Sequence, residues 1–336
     1  MKIFHALLAT ILLAGITGCS KKEYFEPENT HSASVAITST GKKAASVMRD
    51  GVTFTDGTYI SKRGMGSVKL PEGFHFVNES STYILAADDT GKIRVYRKNG
   101  TLLFEEKLDL PLISAGIRGD RIFFVQQNNV FGIYSISSRK IVISAKVGRA
   151  YAIDTRIANP IMVGSLMIVP TLDGKLLIIN PADPRGARGM AIGNQYNLNN
   201  VIFLSKIGGT IIAATPRKLV SAAPGAMNKF EAPIADVKIA GGKVYALTGN
   251  GEVVKLTPSL KVLARKKFQY AQFAAIAVTG GKVYALDRSG ALIVMDTSLK
   301  KYKIYDIGSV DDFVFVAGNR LYKDDELVDL SRLGYE

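Results

Sequence analysis

The chain has 336 residues, 47% hydrophobic and 21% charged, ordinary proportions for a globular protein with a large core. Its one cysteine, Cys19, excludes an internal disulfide, and no apolar stretch after the first residues is long enough for a transmembrane helix. The formal net charge of +14 fits acidic partners, anionic lipid headgroups or simply a solvated basic surface.

The N-terminus carries an export signature. Lys2 precedes an apolar run over residues 3–16, too short to span a bilayer, which ends in Ile16-Thr17-Gly18-Cys19. That tetrapeptide resembles the lipobox of bacterial lipoproteins. The resemblance implies a signal peptide over residues 1–18, cleavage before Cys19, a diacylglycerol on its sulfur and an acylated new N-terminus. Several acyl chains, at about 0.8 kcal/mol per buried methylene, hold a protein on a membrane where one would not. Ser20 stands where aspartate would favour the inner membrane, so the expected place is the periplasmic face of the outer membrane. That compartment argues against nucleic acid as a partner. Residues 19–32 are polar and read as a lipidated, flexible tether.

From residue 33 to 336 the chain repeats. Gly242-Lys243-Val244-Tyr245-Ala246-Leu247 returns as Gly281-Lys282-Val283-Tyr284-Ala285-Leu286, 39 residues on (281 − 242). Each copy passes a turn ending in glycine, then a second apolar run at 253–256 or 292–295, then a third at 262–268 or 302–307. Weaker copies begin near Val52, Tyr83, Arg121, Leu166, Thr210 and Asn319. The runs are short, rich in β-branched and aromatic residues, and bounded by Gly, Asn and Asp; none has helical spacing. Runs such as 283–286 are apolar throughout and predict strands buried on both faces, whereas the third runs mix Lys and Ser with Val and Ile and predict one wet face.

A unit of about 40 residues holds about four strands. One such sheet cannot bury both of its faces, but sheets stacked radially can. The expected fold is therefore an all-β propeller. Eight blades are favoured, with seven as the alternative if residues 43–70 form an extended N-terminal segment. The last unit has little chain after Leu330 for an outer strand. Residues 33–38 alternate small or apolar with polar side chains and are expected to supply it, closing the ring.

The unit Gly-Lys-Val-Tyr-Ala-Leu, turn, Gly, strand is similar to the PQQ-type propeller repeat, and Asn99-Gly100-Thr101-Leu102-Leu103-Phe104 resembles its tail, with Phe104 where the family has tryptophan. A lipobox joined to such a propeller resembles the BamB-like lipoproteins of the outer-membrane β-barrel assembly machine, and the resemblance spans nearly the whole mature chain. It implies a non-catalytic scaffold whose protein partner is the barrel-insertion machinery. This chain has no tryptophan, so Phe104, Val142 and Ile304 are expected to fill the spaces between blades. In the family, loops between central blades dock on the partner. The matching stretch contains Ile153 and Arg156, whose guanidinium fork suits a partner's carboxylate. The next inter-blade loop holds Asn199 and Asn200 where the family has acidic residues. The other expectation, from the charge and the cluster Arg265-Lys266-Lys267, is an envelope-binding or sensing propeller for a host protein, peptidoglycan or a small ligand.

Catalytic and metal patterns are missing from the sequence. The mature chain has two histidines, His31 and His75, neither with a second histidine or cysteine at ligand spacing, and His75 has no Ser/His/Asp arrangement around it. Asp311-Asp312 and Asp324-Asp325 are paired carboxylates, read as turn residues rather than a calcium site. A quinoprotein enzyme would need the tryptophan floor and vicinal cysteines that the chain lacks. The repeat therefore argues for fold, with no cofactor.

Overall fold

The computed structural model describes residues 24–31, 35–150, 153–193 and 198–336. The expected signal peptide, Cys19 and the start of the expected tether lie outside the described residues.

Eight four-stranded antiparallel sheets follow one another along the chain. In seven of them the strands lie side by side in chain order; these blades span 44–65, 74–107, 112–146, 161–191, 203–231, 234–267 and 273–306. The eighth takes three strands from 314–329 and its outermost strand from Ile37–Ser39, which pairs with Glu326–Asp329 (Ile37 opposite Val328, Thr38 opposite Leu327). The count is eight, residues 44–65 being a short first blade, and the N-terminal strand closes the ring on the last blade as the sequence predicts.

The reason the sheets stand as blades is visible in where apolar side chains go. Along Lys282–Asp287 of blade 7, Val283 and Ala285 face blade 6, in a layer with Tyr245, Leu247 and Val253. Tyr284 and Leu286 point the other way, into a layer with Leu321 and Val328 of blade 8. Strand periodicity of two thus places alternate residues in different layers. Eight apolar clusters result among the described residues, one at each junction between neighbouring blades, including Val52, Phe54 and Ile60 of blade 1 against Phe313 and Phe315 of blade 8. Outermost strands lack a partner on one edge and are the most exposed; in Val262–Lys267 the residues alternate in exposure, whereas Lys140–Lys146 and Ala226–Glu231 are exposed almost throughout.

The missing tryptophans are replaced unevenly. Phe104 is buried between blades 2 and 3 and stacks on Tyr134 with centroids 5.8 Å apart. Ile304 is buried between blades 6 and 7. Val142, expected in the same role, is exposed instead. It sits at a register shift: Ile133 pairs with Ile143 and Tyr134 with Ile141, leaving Val142 as the extra residue of a bulge.

The innermost strands carry small residues because the blades converge there. A Cβ on Gly116 of blade 3 would come within 2.6 Å of the Pro160 carbonyl oxygen. Five of these strands shift register, four near the start as in Ile234–Ala240 and one midway, in Phe74–Glu79. Residues 24–31 lie along the outer edge of blades 6 and 7: the Phe25 ring meets Phe268 edge-on at 5.9 Å, and the His31 N–H donates to the Ile304 carbonyl at 3.0 Å.

Ring closure is testable. The Thr40 N–H donates to Asp325 O, so Thr38, two residues back, faces Leu327 across the same ladder. Thr38→Pro removes a donor from that ladder and is expected to cost about 1–3 kcal/mol in a denaturant titration. An unchanged midpoint would show that the closing strand contributes nothing.

Candidate interaction site

The axis of the ring is a channel of about 770 Å³ lined by the innermost strands. Its polar side chains are mostly spent on one another. Asp50, after the first innermost strand, accepts from Asn78 and Asn159 at 2.6 Å each and is paired with Lys62. Asn78 accepts the Ile117 N–H of the next blade at 3.3 Å, and Asn159 accepts from Ala115 N–H and the Ser114 hydroxyl at 3.2 and 3.1 Å. One carboxylate and two amides therefore stitch blades 1 to 4 together. On the far side, Asp236 accepts the Ile276 N–H of blade 7 at 3.1 Å and holds Arg49 at 3.2 Å, a brace from blade 1 to blade 6. The Arg49 guanidinium also lies 5.5 Å from the Phe203 ring centroid.

Burial raises the Asp50 carboxyl, but Lys62, Asn159 and Arg49 outweigh it and hold the group below its ordinary 3.8. Lys238 in the channel wall is pushed down by burial and by Lys62 and Arg49, with Asp236 opposing.

The four residues that sequence reasoning singled out lie on two loops joined by hydrogen bonds, and of the four Arg156 lines the channel. The loops that hold them enter blades 4 and 5. Asn200, fully buried, accepts the Asp154 N–H at 2.7 Å and donates to the carbonyls of Asp154 and Arg156 at 3.0 and 2.9 Å. Ala158 N–H to Val201 O, 2.9 Å, extends the staple. Asn199 is buried against Gly174, whose added Cβ would meet the Asn199 carbonyl oxygen at 2.7 Å. Ile153 and Leu198 are exposed, at 38% and 41%.

Arg156 is placed differently from a free docking side chain. Its Nε donates to Asp154 Oδ1 at 2.8 Å and Nη2 to Asp154 Oδ2. Nη1 reaches the carbonyls of Ile234 and Ala235 in blade 6. The fork expected to take a partner's carboxylate holds one of this chain's own, and it bridges the loop to the inner strand of blade 6. Asp154 stays below its ordinary value: burial raises it, and the Arg156 and backbone hydrogen bonds more than compensate.

Sequence reasoning missed the axial network. The available signal was weak: Asn78 and Asp236 are polar residues inside partly apolar innermost runs that hold other polar residues too, and they stand at different places in their strands. The paired acids behave as turn residues, the Asp324 carboxylate accepting the N–H groups of Asp311, Asp312 and Phe313 at 2.7–3.3 Å. His75 is buried in an inner strand, and that burial lowers its pKa, partly offset by Asp89 and Asp88. Among the described residues no three His, Cys, Asp or Glu side chains cluster at metal-binding distance.

No family model matches the chain. Among curated proteins, the plasminogen-binding protein PgbB of Helicobacter pylori strain J99 is 24% identical over 94% of this chain and 67% of its own length. Its counterpart in strain 26695 gives the same figures. Among solved structures, BamB from Moraxella catarrhalis superposes with a TM-score of 0.66 at 13% identity, covering 87% of this chain and 99% of that one. The C-terminal WD40 domain of Sif2 gives 0.64 at 14%, covering 87% and 97%. The structural likenesses establish a BamB-like propeller fold, while the relative found by sequence is PgbB rather than BamB.

Two measurements probe the site. Asn200→Ala strips partners from three backbone groups and is expected to cost about 1–3 kcal/mol, read by denaturant unfolding. A folded-state pKa below 3.8 means that the Asp50 contribution is full above that pH and lost as pH falls through the folded value. The stability gap between wild type and Asp50→Asn should therefore be open at pH 7 and narrow below about pH 4; a pH-independent gap would contradict the ionic account.

Proposed function

We propose that this chain is an exported, lipid-anchored propeller that works by binding proteins at the cell envelope and carries out no chemistry of its own. The observation that carries the reading is the rim at 153–160 and 198–202. Two loops are stapled by Asn200 into one unit, which leaves Ile153 and Leu198 exposed while its Arg156 is paired internally with Asp154. A preorganised rim with apolar residues favours a protein partner, because little conformational freedom is lost on docking.

The partner favoured by the fold is the barrel-insertion machinery of the outer membrane, with the chain held on the periplasmic face through Cys19. BamB-like architecture and the position of the loops support this reading. Docking there runs through Ile153 and Leu198, with Arg156, Asn199 and Asn200 holding the loops in shape. A second reading, a binder of a host protein such as the plasminogen of PgbB, is favoured by the 24% identity to that protein across 94% of this chain.

Affinity purification of the chain from detergent-solubilised membranes discriminates the two. Recovery of barrel-insertion subunits, and depletion of outer-membrane proteins on deletion, supports the scaffold. Saturable plasminogen binding, together with protease accessibility on intact cells, supports the host reading. Ile153→Asp with Leu198→Asp is expected to weaken capture of the true partner at least about tenfold, the loss of about 1.4 kcal/mol or more of interface energy. Unchanged capture would remove this rim from the interface.

A further inference from the structure

The stretch that leads back toward Cys19 and the outermost strands of blades 6 and 7 share one edge of the disc. Phe25 packs on Phe268, which meets Tyr302 edge-on at 5.2 Å, and the Lys266 ammonium lies 4.7 Å from the Tyr302 ring centroid. Tyr24, beside Phe25, is 58% exposed, and Tyr302 is 42% exposed. The blade 6 strand Val262–Lys267 ends in Arg265, Lys266 and Lys267; the blade 7 strand Tyr302–Asp306 is entered through Lys300 and Lys301 and contains Lys303. Acidic groups at this edge are fewer: Glu26 and Glu28 are exposed in the N-terminal stretch, Glu252 lies 3.6 Å from Arg265, Glu336 lies 3.8 Å from Lys301, and Asp306 ends the blade 7 strand. Blade 2 stands four places round the ring from blade 6, and its outermost strand Leu102–Lys107 carries Glu105 and Glu106 against Lys107.

Cations and exposed tyrosines therefore collect where the N-terminal stretch arrives, whereas Glu105 on the blade 2 edge is paired with Lys92 and Arg94. Tyr24 is five residues from Cys19, a reach of at most about 18 Å for extended chain. Lysines and tyrosines side by side are the side chains that settle at the headgroup level of a bilayer, the lysines drawn by anionic lipid and the rings by the interface. We propose that the outer edge of blades 6 and 7 rests on anionic lipid headgroups, so that the disc stands on its rim with blade 2 turned away from the membrane. The proposal rests on the reading that Cys19 is lipidated, which sets the short leash.

Because the chain has no tryptophan, one introduced residue is a unique fluorophore. Tyr302→Trp and, as the far-side control, Leu102→Trp (Leu102 is 44% exposed) are made in the full chain, and the mature lipidated proteins are reconstituted into vesicles containing brominated lipid, with or without phosphatidylglycerol. Quenching is expected at position 302 and not at 102, only in the anionic vesicles, and reduced by raised salt. Lys267→Glu with Lys300→Glu, both exposed in wild type, should cut it by about tenfold in vesicle affinity. Equal quenching at both positions, or none at 302 in a chain whose mass shows the lipid, overturns the edge assignment and leaves the anchor intact. A mature chain with free Cys19 thiol overturns the anchor. The edge is then judged on that unlipidated chain: cosedimentation with anionic but not neutral vesicles sustains it, and none refutes it.

Discussion

Every blade in this protein depends on its neighbours for dryness. A four-stranded sheet of these sequences has two apolar faces, and neither can be covered within the blade. Val283 and Tyr284 are adjacent in sequence, yet they belong to different apolar layers, one shared with blade 6 and the other with blade 8. The structure has as many layers as blades among the described residues, which is possible only if the row of blades bends back on itself. An open row would leave two apolar faces in water, at roughly 25 cal/mol for each Å² exposed. Closure is thus a requirement of the burial pattern, and Ile37–Ser39 joins first and last in the most direct way, by sharing a sheet.

The axis is solved by a different kind of interaction. Where eight innermost strands converge, side chains are small and backbone groups of adjoining blades come close. Asn78, Asn159 and Asp236 satisfy those groups across blade boundaries, Asp50 holds the two asparagines, and Arg49 and Arg156 both reach the inner strand of blade 6. Buried charges require such pairing, since an unpaired one would be costly to desolvate. The consequence for function is that much of the channel's charge is committed internally. The outer rim and inter-blade loops are left as the surfaces on which other molecules can act.

Much of the fold was legible because strand pattern and turn chemistry are local. The Gly-Lys-Val-Tyr-Ala-Leu copies, the turn glycines and the alternation of the outer strands all report on a residue's nearest neighbours. The innermost strand of each unit was harder to read. Phe273–Thr279 and Leu112–Arg118 are short mixtures of Ala, Gly and Ser with a few larger residues, a composition set by crowding at the axis rather than by strand propensity. Val142 shows the same limit in reverse: its apolar side chain matched the expected role, but it is the extra residue of a bulge and is exposed. For the candidate site, the loops were found and their adjacency was not. Nothing in the string places Asn200 on Asp154 and Arg156, 46 and 44 residues away.

The sequence by itself determined a repeating β-module, its buried and wet strands, and the use of the N-terminal strand to finish the last blade, because each follows from period-two patterning and from what one sheet cannot bury alone. Only the tertiary structure decided that the Arg156 fork is filled by Asp154, that Arg49 reaches Asp236 at a separation of 187 residues, and that the cations of blades 6 and 7 sit on the edge reached by the N-terminal stretch. Those outcomes depend on which side chains the closed ring brings face to face, and hydrogen bonds and ion pairs act over a few ångströms in space, whatever the distance along the chain.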